Sequence, residues 1–378
     1  MAVPVRILEL LVSTDLGGGP AQVREVVARL PREEFAVTVA GPAGSAHGEV
    51  LAERGARVVD IGTDRIGRRP FLDVLELIKR ESIDIVHSHG KGAGLYGRLA
   101  ARRAGIPAVH TFHGIHARYP VGGARAYLML ERTLARITAA IVHVSESQAL
   151  EAAALGLAPP GRSHVIVNGI DARCVAAAAM TRAAAREKLR LEPDALVLGT
   201  VARFDPVKAL DSLLRAFALA VAQYPAARLV LVGDGPEAPR LHALAATLGI
   251  EARVRLAGPI ADASRLFPAL DLYVSASRKE GLPLALLEAM ACELPVAATR
   301  VPGHVDVVEE GVTGLLAAPD DHGDLGRVMR ELMTEPARRS VMGQAGRRRV
   351  EDRFGASRMA AETAALYRSV AARFARRR

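Results

Sequence analysis

The sequence has no tryptophan, two cysteines and only 4% aromatic residues. A core without large rings must be assembled from Ala, Val, Leu and Ile, as in parallel sheets covered by alanine-rich helices. Cys174 and Cys292 lie far apart in the chain. A disulfide framework is not expected from them, and a cysteine-based metal site is excluded by number. Each is expected to be a buried thiol rather than a nucleophile. No apolar run approaches the ~20 residues that span a bilayer. The run Val5-Arg6-Ile7-Leu8-Glu9-Leu10-Leu11-Val12 is interrupted by Glu9, which is not the pattern of a signal peptide. The expectation is a soluble or peripheral cytoplasmic protein.

What is present is a long, apolar chain. Its 378 residues, 50% hydrophobic and 24% charged, suit two or three packed domains and argue against disorder. Lys and Arg number 50 against 41 acids, a net charge of +9. That balance suits nucleic acid, anionic lipid or phosphorylated substrates, although a solvated arginine-rich surface accounts for it more simply. The clusters Arg68-Arg69, Arg102-Arg103, Arg347-Arg348-Arg349 and Arg376-Arg377-Arg378 are short and not interleaved with aromatics. A stacking platform for single strands is therefore unsupported, and no zinc-finger or RNP-type signature is present.

Short apolar runs alternate with helical patterns from Val5 to Val167, and the alternation restarts from Leu196 to Ala317. This is the signature of parallel sheets with helices on both faces. The expected fold is α/β: two Rossmann-like, doubly wound domains facing across a cleft, hinged near residues 168–195. The first would cover residues 1–180 and the second 181–354. Residues 355–378 would form a helix crossing back onto the first domain. Ligands of such domains bind outside the carboxyl ends of the strands.

Three groups sit on those loops. Asp15-Leu16-Gly17-Gly18-Gly19-Pro20 follows the first strand and precedes a helix. Its glycines allow close backbone approach, and the helix N-terminus favours an anion. It is neither a dinucleotide fingerprint nor a Walker loop. Arg203 and Lys208 share one strand-to-helix loop, where a guanidinium fork and an ammonium can clamp a pyrophosphate. Glu280 and Glu288 stand eight apart within Glu280-Gly281-Leu282-Pro283 and Glu288-Ala289-Met290-Ala291. One precedes a helix and the other lies in its second turn, so the two carboxylates can accept bonds from two sets of hydroxyls. Ordinary turns and solvated charges remain the plain alternative for each group taken alone.

Over nearly its full length the sequence resembles glycosyltransferase family 4, the retaining GT-B enzymes. The resemblance rests on Glu280…Glu288, Leu294-Pro295-Val296-Ala297, Gly311-Val312-Thr313-Gly314, Gly233-Asp234-Gly235-Pro236-Glu237, Asn168-Gly169-Ile170-Asp171, Thr111-Phe112-His113-Gly114 and the Gly18-Gly19 turn. It implies transfer of a hexose-type sugar from a nucleoside diphosphate sugar to a glycan, lipid-linked or small-molecule acceptor, in cell-envelope or polysaccharide biosynthesis. Arg203 and Lys208 would hold the diphosphate and stabilise the leaving group. Glu288 would hold the ribose, and Glu280, with amides near Gly281 and Leu282, the donor sugar. Gly18 and Gly19 would close over the pyrophosphate, and His113 would sit near the transferring sugar. Backbone near Gly258, Pro259 and Ile260 would read the base. His113, Glu280, Arg203 and Lys208 are thus the catalytic set. Glu293, Asp306 and Ala21 depart from the usual pattern.

No Asp-x-Asp box stands at a strand end, so no divalent ion and no other cofactor is expected. His87, His89, His110 and His113 cluster near strand ends, yet no carboxylate or cysteine joins them at ligand spacing. His113 is read as functional and the others as structural or acceptor-lining. Three rival readings stand: a GT-B nucleotide-sugar epimerase, a non-catalytic sugar-nucleotide binder and a basic nucleic-acid binder. The Arg68-Arg69, Arg102-Arg103 and Arg125 charges suggest contact with an anionic membrane.

Overall fold

The computed structural model describes residues 3–12, 17–42, 51, 56–65, 67–115, 121–222 and 224–376. They divide into unit 1, residues 1–169 with 356–378, and unit 2, residues 170–355.

Unit 1 is built on strands β1 (Val5–Leu11), β2 (Phe35–Gly41), β3 (Arg57–Asp60), β4 (Ile85–His89), β5 (Ala108–Phe112), β6 (Ala140–His143) and β7 (Ser163–Val165). The sheet order is β3-β2-β1-β4-β5-β6-β7, and every pairing is parallel. Its helices are α1 (Gly18–Val27), α2 (Arg68–Arg80), α3 (Lys91–Ala104), α4 (Val121–Ile137) and α5 (Glu146–Ala154). Strand side chains alternate between faces, and both faces are covered. Ile7, Ile85 and Val109 pack with Met359, Leu366 and Tyr367 of a helix later in the chain. Leu8, Leu10 and Val86 pack with Val74 and Leu77 of α2 and with Tyr96 and Ala100 of α3.

Unit 2 holds α6 (Ala172–Ala178), α7 (Arg182–Lys188), β8 (Leu196–Val201), α8 (Leu210–Val221), β9 (Ala227–Val232), α9 (Ala238–Thr247), β10 (Val254–Gly258), β11 (Leu272–Ser275), α10 (Leu284–Ala291), β12 (Val296–Thr299), α11 (His304–Val307), β13 (Gly314–Ala317), α12 (His322–Thr334) and α13 (Pro336–Arg353). Its parallel sheet runs β10-β9-β8-β11-β12-β13. Leu198, Leu229, Leu231 and Val274 meet Leu213 and Phe217 of α8 and Val328 and Met329 of α12 in one core. The chain then forms α14 (Ala356–Ala375), which belongs to unit 1.

The first boundary lies at 169/170 rather than 180/181. Residues 170–180 cluster with unit 2 because their backbone bonds go there: Ile170 N–H to the Phe354 carbonyl at 2.8 Å and Met180 N–H to the Arg265 carbonyl at 2.9 Å. The short helix α6 in this stretch is capped by Asp171, whose carboxylate accepts from Cys174 N–H at 3.0 Å. It buries only Ala172, so Cys174 is exposed, and Cys292 is half-buried; neither is the fully buried thiol expected. The sequence pattern over Asp262–Leu270 is that of a helix, but the segment forms a 3-10 turn, Ala263–Ala269, with Pro268 inside. A further helical pattern in the sequence, over Glu49–Arg54, lies outside the described residues except for Leu51. Among the described residues no helix is long and apolar enough to cross a membrane.

Candidate active site

In a doubly wound sheet the ligand crevice opens where the strand order reverses. In unit 2 that point lies between β8 and β11. The two loops leaving these strands carry Arg203–Lys208 and Ser277–Glu280. They are stitched together: Arg278 N–H donates to the Val207 carbonyl at 2.8 Å, and its guanidinium to the Pro206 carbonyl at 2.6 Å. Lys208 Nζ then reaches Glu280 Oε1 at 2.7 Å, and Ser277 Oγ donates to the same oxygen at 2.6 Å. Burial alone would raise the Glu280 pKa, but Lys208, His304 and Ser277 hold it below its usual value. It is an oriented carboxylate.

His304 lies beneath that pair, fully buried. Its Nδ1 is 2.8 Å from the Thr299 carbonyl and its Nε2 2.9 Å from Ser275 Oγ. A carbonyl only accepts, so Nδ1 carries a hydrogen; burial lowers the His304 pKa, and the neutral ring accepts from the serine at Nε2. Gly303 turns the chain at φ +84°, and a Cβ there would stand 2.7 Å from the Gly281 carbonyl oxygen. Glycine therefore lets this turn close against Glu280-Gly281. Gly281 and Leu282 are buried at the entry to α10. Glu288 is half-buried in the second turn, flanked by the buried Leu287 and Ala289.

The structure does not bring Arg203 onto this pair. Its side chain is 73% exposed and forms an ion pair with Asp205. Pro259 is exposed and Ile260 half-buried, directly after β10. Gly233 and Gly235 interlock the neighbouring strand ends: a Cβ would lie 1.9 Å from the Ala202 oxygen at one and 2.6 Å from the Phe204 oxygen at the other.

In unit 1 the order reverses between β1 and β4. There Glu9 is in register with His87. Glu9 is 1% exposed, with Oε2 at 2.7 Å from His89 Nε2 and Oε1 accepting from the Tyr367 hydroxyl at 2.6 Å. His89 Nδ1 lies 3.0 Å from His113 Nε2. His87 contacts Tyr367 Oη at 2.6 Å through Nδ1 and Thr111 Oγ1 at 2.7 Å through Nε2. A carboxylate thus does join the histidines, against the sequence expectation, because strand pairing places residues 80 positions apart side by side. Ligand atoms of Glu9, His87 and His89 lie within 4.8 Å of one another, the arrangement that could hold a metal ion. The same atoms are engaged in hydrogen bonds within the cluster. Burial drives the Glu9 pKa up, but His87 and His89 hold it well below the usual carboxylate value. Burial, with His89 and His87 beside it, lowers His113 well below its ordinary value, so its ring is neutral. His110 stands on the other face with Ser88, their side chains 3.0 Å apart. Gly19, in the first turn of α1, lies against His113, whose ring would be 3.4 Å from a Cβ at that position. Gly18 has open space around it, and Asp15 and Leu16 lie outside the described residues.

Two family models match. That described as Glycosyltransferase Family 4 covers residues 16–173, and that described as Glycosyl transferases group 1 covers 181–349. A D-inositol 3-phosphate glycosyltransferase of Catenulispora acidiphila is 35% identical over 75% of this chain and 70% of its own. The chain belongs to glycosyltransferase family 4. A putative glycosyltransferase, EpsD of Bacillus subtilis, is 30% identical over 79% of each chain. Among solved structures, Anabaena HepE in complex with UDP and glucose superposes with a TM-score of 0.85 at 22% identity, over 97% of this chain and 100% of the other. Sucrose-phosphate synthase of Thermosynechococcus elongatus gives 0.82 at 22% identity, over 97% and 99%. The transferase therefore has the two-domain GT-B fold. Sequence reasoning about this transferase missed Ser277, His304, Glu9 and Tyr367. Ser277 was visible beside Glu280, and His304 after the turn glycine Gly303. Glu9 carried a signal too, as a lone acid inside an apolar strand.

Proposed function

We propose that the enzyme is a retaining transferase that takes a hexose-type sugar from a UDP-sugar without a divalent ion. The observation that carries this is the Lys208–Glu280 pair at the reversal point of unit 2, 2.7 Å apart, with the half-buried Glu288 two helical turns on. Glu280 accepts from hydroxyls of the donor sugar, and Glu288 from those of the ribose. Amides at Gly281 and Leu282 assist, and backbone beside Pro259 and Ile260 meets the base. The C1–O bond to the diphosphate breaks while the acceptor oxygen bonds to C1 from the same face. The acceptor's proton passes to the departing phosphate oxygen. Negative charge builds on the diphosphate, and fixed cations there lower the barrier. Lys208 and the exposed Arg203 supply that charge, which is why no metal is called for. Gly18, Gly19 and His113 of unit 1 are assigned to the pyrophosphate and the transferring sugar on the family resemblance.

HepE's complexes contain UDP with glucose and UDP-glucose, which makes UDP-glucose the first donor to try. The inositol phosphate in the names of several relatives makes a phosphorylated small polyol the first acceptor. Exposed Arg68, Arg69, Arg102, Arg103 and Arg125, with Met129 67% and Leu130 43% exposed on α4, support peripheral contact with an anionic membrane. Equal recovery with neutral and anionic vesicles would remove that contact.

The deciding assay offers UDP-, GDP- and ADP-glucose with acceptor, with and without EDTA. An α-linked product from the UDP-sugar alone, unaffected by EDTA, is expected. A β-linked product, or loss of turnover with the chelator, overturns retention or metal independence. In parallel, Glu288→Ala is expected to weaken UDP binding about 10- to 100-fold by titration calorimetry, the loss of one or two charged hydrogen bonds, with the thermal midpoint little changed.

A further inference from the structure

The buried cluster of unit 1 has one consistent direction of hydrogen bonding, and it ends at His113. Glu9 is ionised, so both of its oxygens only accept. His89 must therefore carry its hydrogen on Nε2, the atom 2.7 Å from Glu9. Burial, with His87 beside it, lowers the His89 pKa despite Glu9, and the neutral ring presents Nδ1 as a lone pair. The group 3.0 Å from that lone pair is His113 Nε2, so His113 must carry its hydrogen on Nε2 and leave Nδ1 as an acceptor. On the other side, the Tyr367 hydroxyl gives its single hydrogen to Glu9 Oε1 at 2.6 Å. His87 Nδ1, 2.6 Å from that hydroxyl oxygen, must then donate to it. With His89 neutral in its buried position, each bond in the chain has one donor and one acceptor in this arrangement, whereas a protonated His89 would donate from Nδ1 and reverse His113.

We propose that Glu9, held by Tyr367 of α14, acts through His89 as a positioning residue that fixes His113 as the Nε2–H tautomer, so that His113 Nδ1 accepts a hydroxyl hydrogen from the sugar. This rests on the reading of His113 as a sugar contact and goes beyond it by stating which atom is used and what sets it. The opposite tautomer would place a hydrogen on Nδ1 and a lone pair against a lone pair at His89. A ring switching between the two would meet the hydroxyl correctly only part of the time. Tyr367 lies 358 residues from Glu9 in sequence, so the chemistry of the first strand depends on a helix made after unit 2.

The test combines a ring-nitrogen spectrum with kinetics. Full-length protein labelled with 15N-histidine reports each tautomer through two-bond proton–nitrogen couplings, with His113→Gln assigning the peak. In the unsubstituted protein His113 is expected as the Nε2–H form; the Nδ1–H form overturns the proposal. Glu9→Gln keeps the shape but offers an amide that donates as well as accepts, so His113 is expected to become an averaged mixture. Turnover should then fall about 10-fold, the scale of one hydrogen bond, with the donor KM within about twofold. If Glu9→Gln does not fold, His89→Gln removes the ring that links Glu9 to His113 Nε2 while Tyr367 stays bonded to Glu9, with the same direction of change. An unchanged His113 tautomer in a folded variant overturns the proposal. A changed tautomer with unchanged turnover overturns instead the placement of His113 at the sugar.

Discussion

At the scale of single residues, the strongest expectation concerns Lys208. Lys208→Met keeps the length of the side chain and removes its charge. It leaves Glu280 with Ser277 and no cation at 2.7 Å. Turnover of the UDP-sugar is expected to fall about 100- to 1,000-fold, the cost of losing one preorganised group that stabilises a departing anion, as read by UDP release under saturating donor. His143 supplies a second expectation, on stability. It is fully buried, and neither ring nitrogen has a hydrogen-bond partner among the described residues. Burial, with His164 nearby, lowers its pKa from 6.5 to about 4. Between those values the unfolded chain binds a proton that the native ring refuses, so stability falls as pH drops through this window and levels off below it. One proton is worth about 1.4 kcal/mol per pH unit, or about 3 kcal/mol over the window. His143→Leu should flatten the urea-denaturation profile by that amount between pH 6.5 and 4. In unit 2, Lys208, Glu280 and Glu288 were legible in the sequence because they sit in dense local motifs, whereas the roles of Ser277 and His304 were not. In unit 1, Glu9 stood out as a lone acid, but its partners did not, since it meets the histidines and Tyr367 only through strand pairing and a returning helix. Sequence distance carries no trace of that.

Among the elements, the two parallel sheets were legible because most strands are apolar runs ended by glycine, histidine or charge. Boundaries shifted where packing overrode pattern. β4 runs to His89, beyond the last apolar residue, because Ser88 and His89 are buried within the ladder. α6 was missed because an alanine-rich stretch burying only Ala172 has no apolar period. α13 was missed because Arg347, Arg348 and Arg349 hide the helical spacing of its few buried positions, Met342, Gly343, Gly346 and Val350. The turn between β12 and α11 yields a test at this scale. Gly303→Ala introduces a side chain at φ +84°, with its Cβ 2.7 Å from the Gly281 carbonyl oxygen. The backbone must move there, and Glu280 moves with it. A loss of about 1–3 kcal/mol in denaturant titration is expected, together with weaker donor binding. Gly311→Ala, also at positive φ but with open space around it, should cost stability alone.

At the scale of the molecule, the two units differ in how the chain makes them. Unit 2 is one continuous stretch, residues 170–355, with its own core, whereas unit 1 needs residues 1–169 and 356–378 together. Residues 170–355 expressed alone should therefore fold cooperatively and bind UDP, raising the thermal midpoint by about 2.7 kcal/mol of stabilisation at a hundredfold excess over the dissociation constant. Residues 1–169 alone should give broad, weak unfolding, because Ile7, Ile85 and Val109 lose Met359, Leu366 and Tyr367. The same arrangement imposes an order on synthesis. A ribosome finishes the strands of unit 1 first and then spends roughly 10 to 40 s on the 186 residues of unit 2, at about 5–20 residues per second. Through that interval the nascent sheet exposes one apolar face and an ionised Glu9 still missing its phenol. Chaperones that hold apolar surface have their natural client in this half-built sheet, and a chain whose translation stalls inside unit 2 is marked for proteolysis by the face it cannot cover.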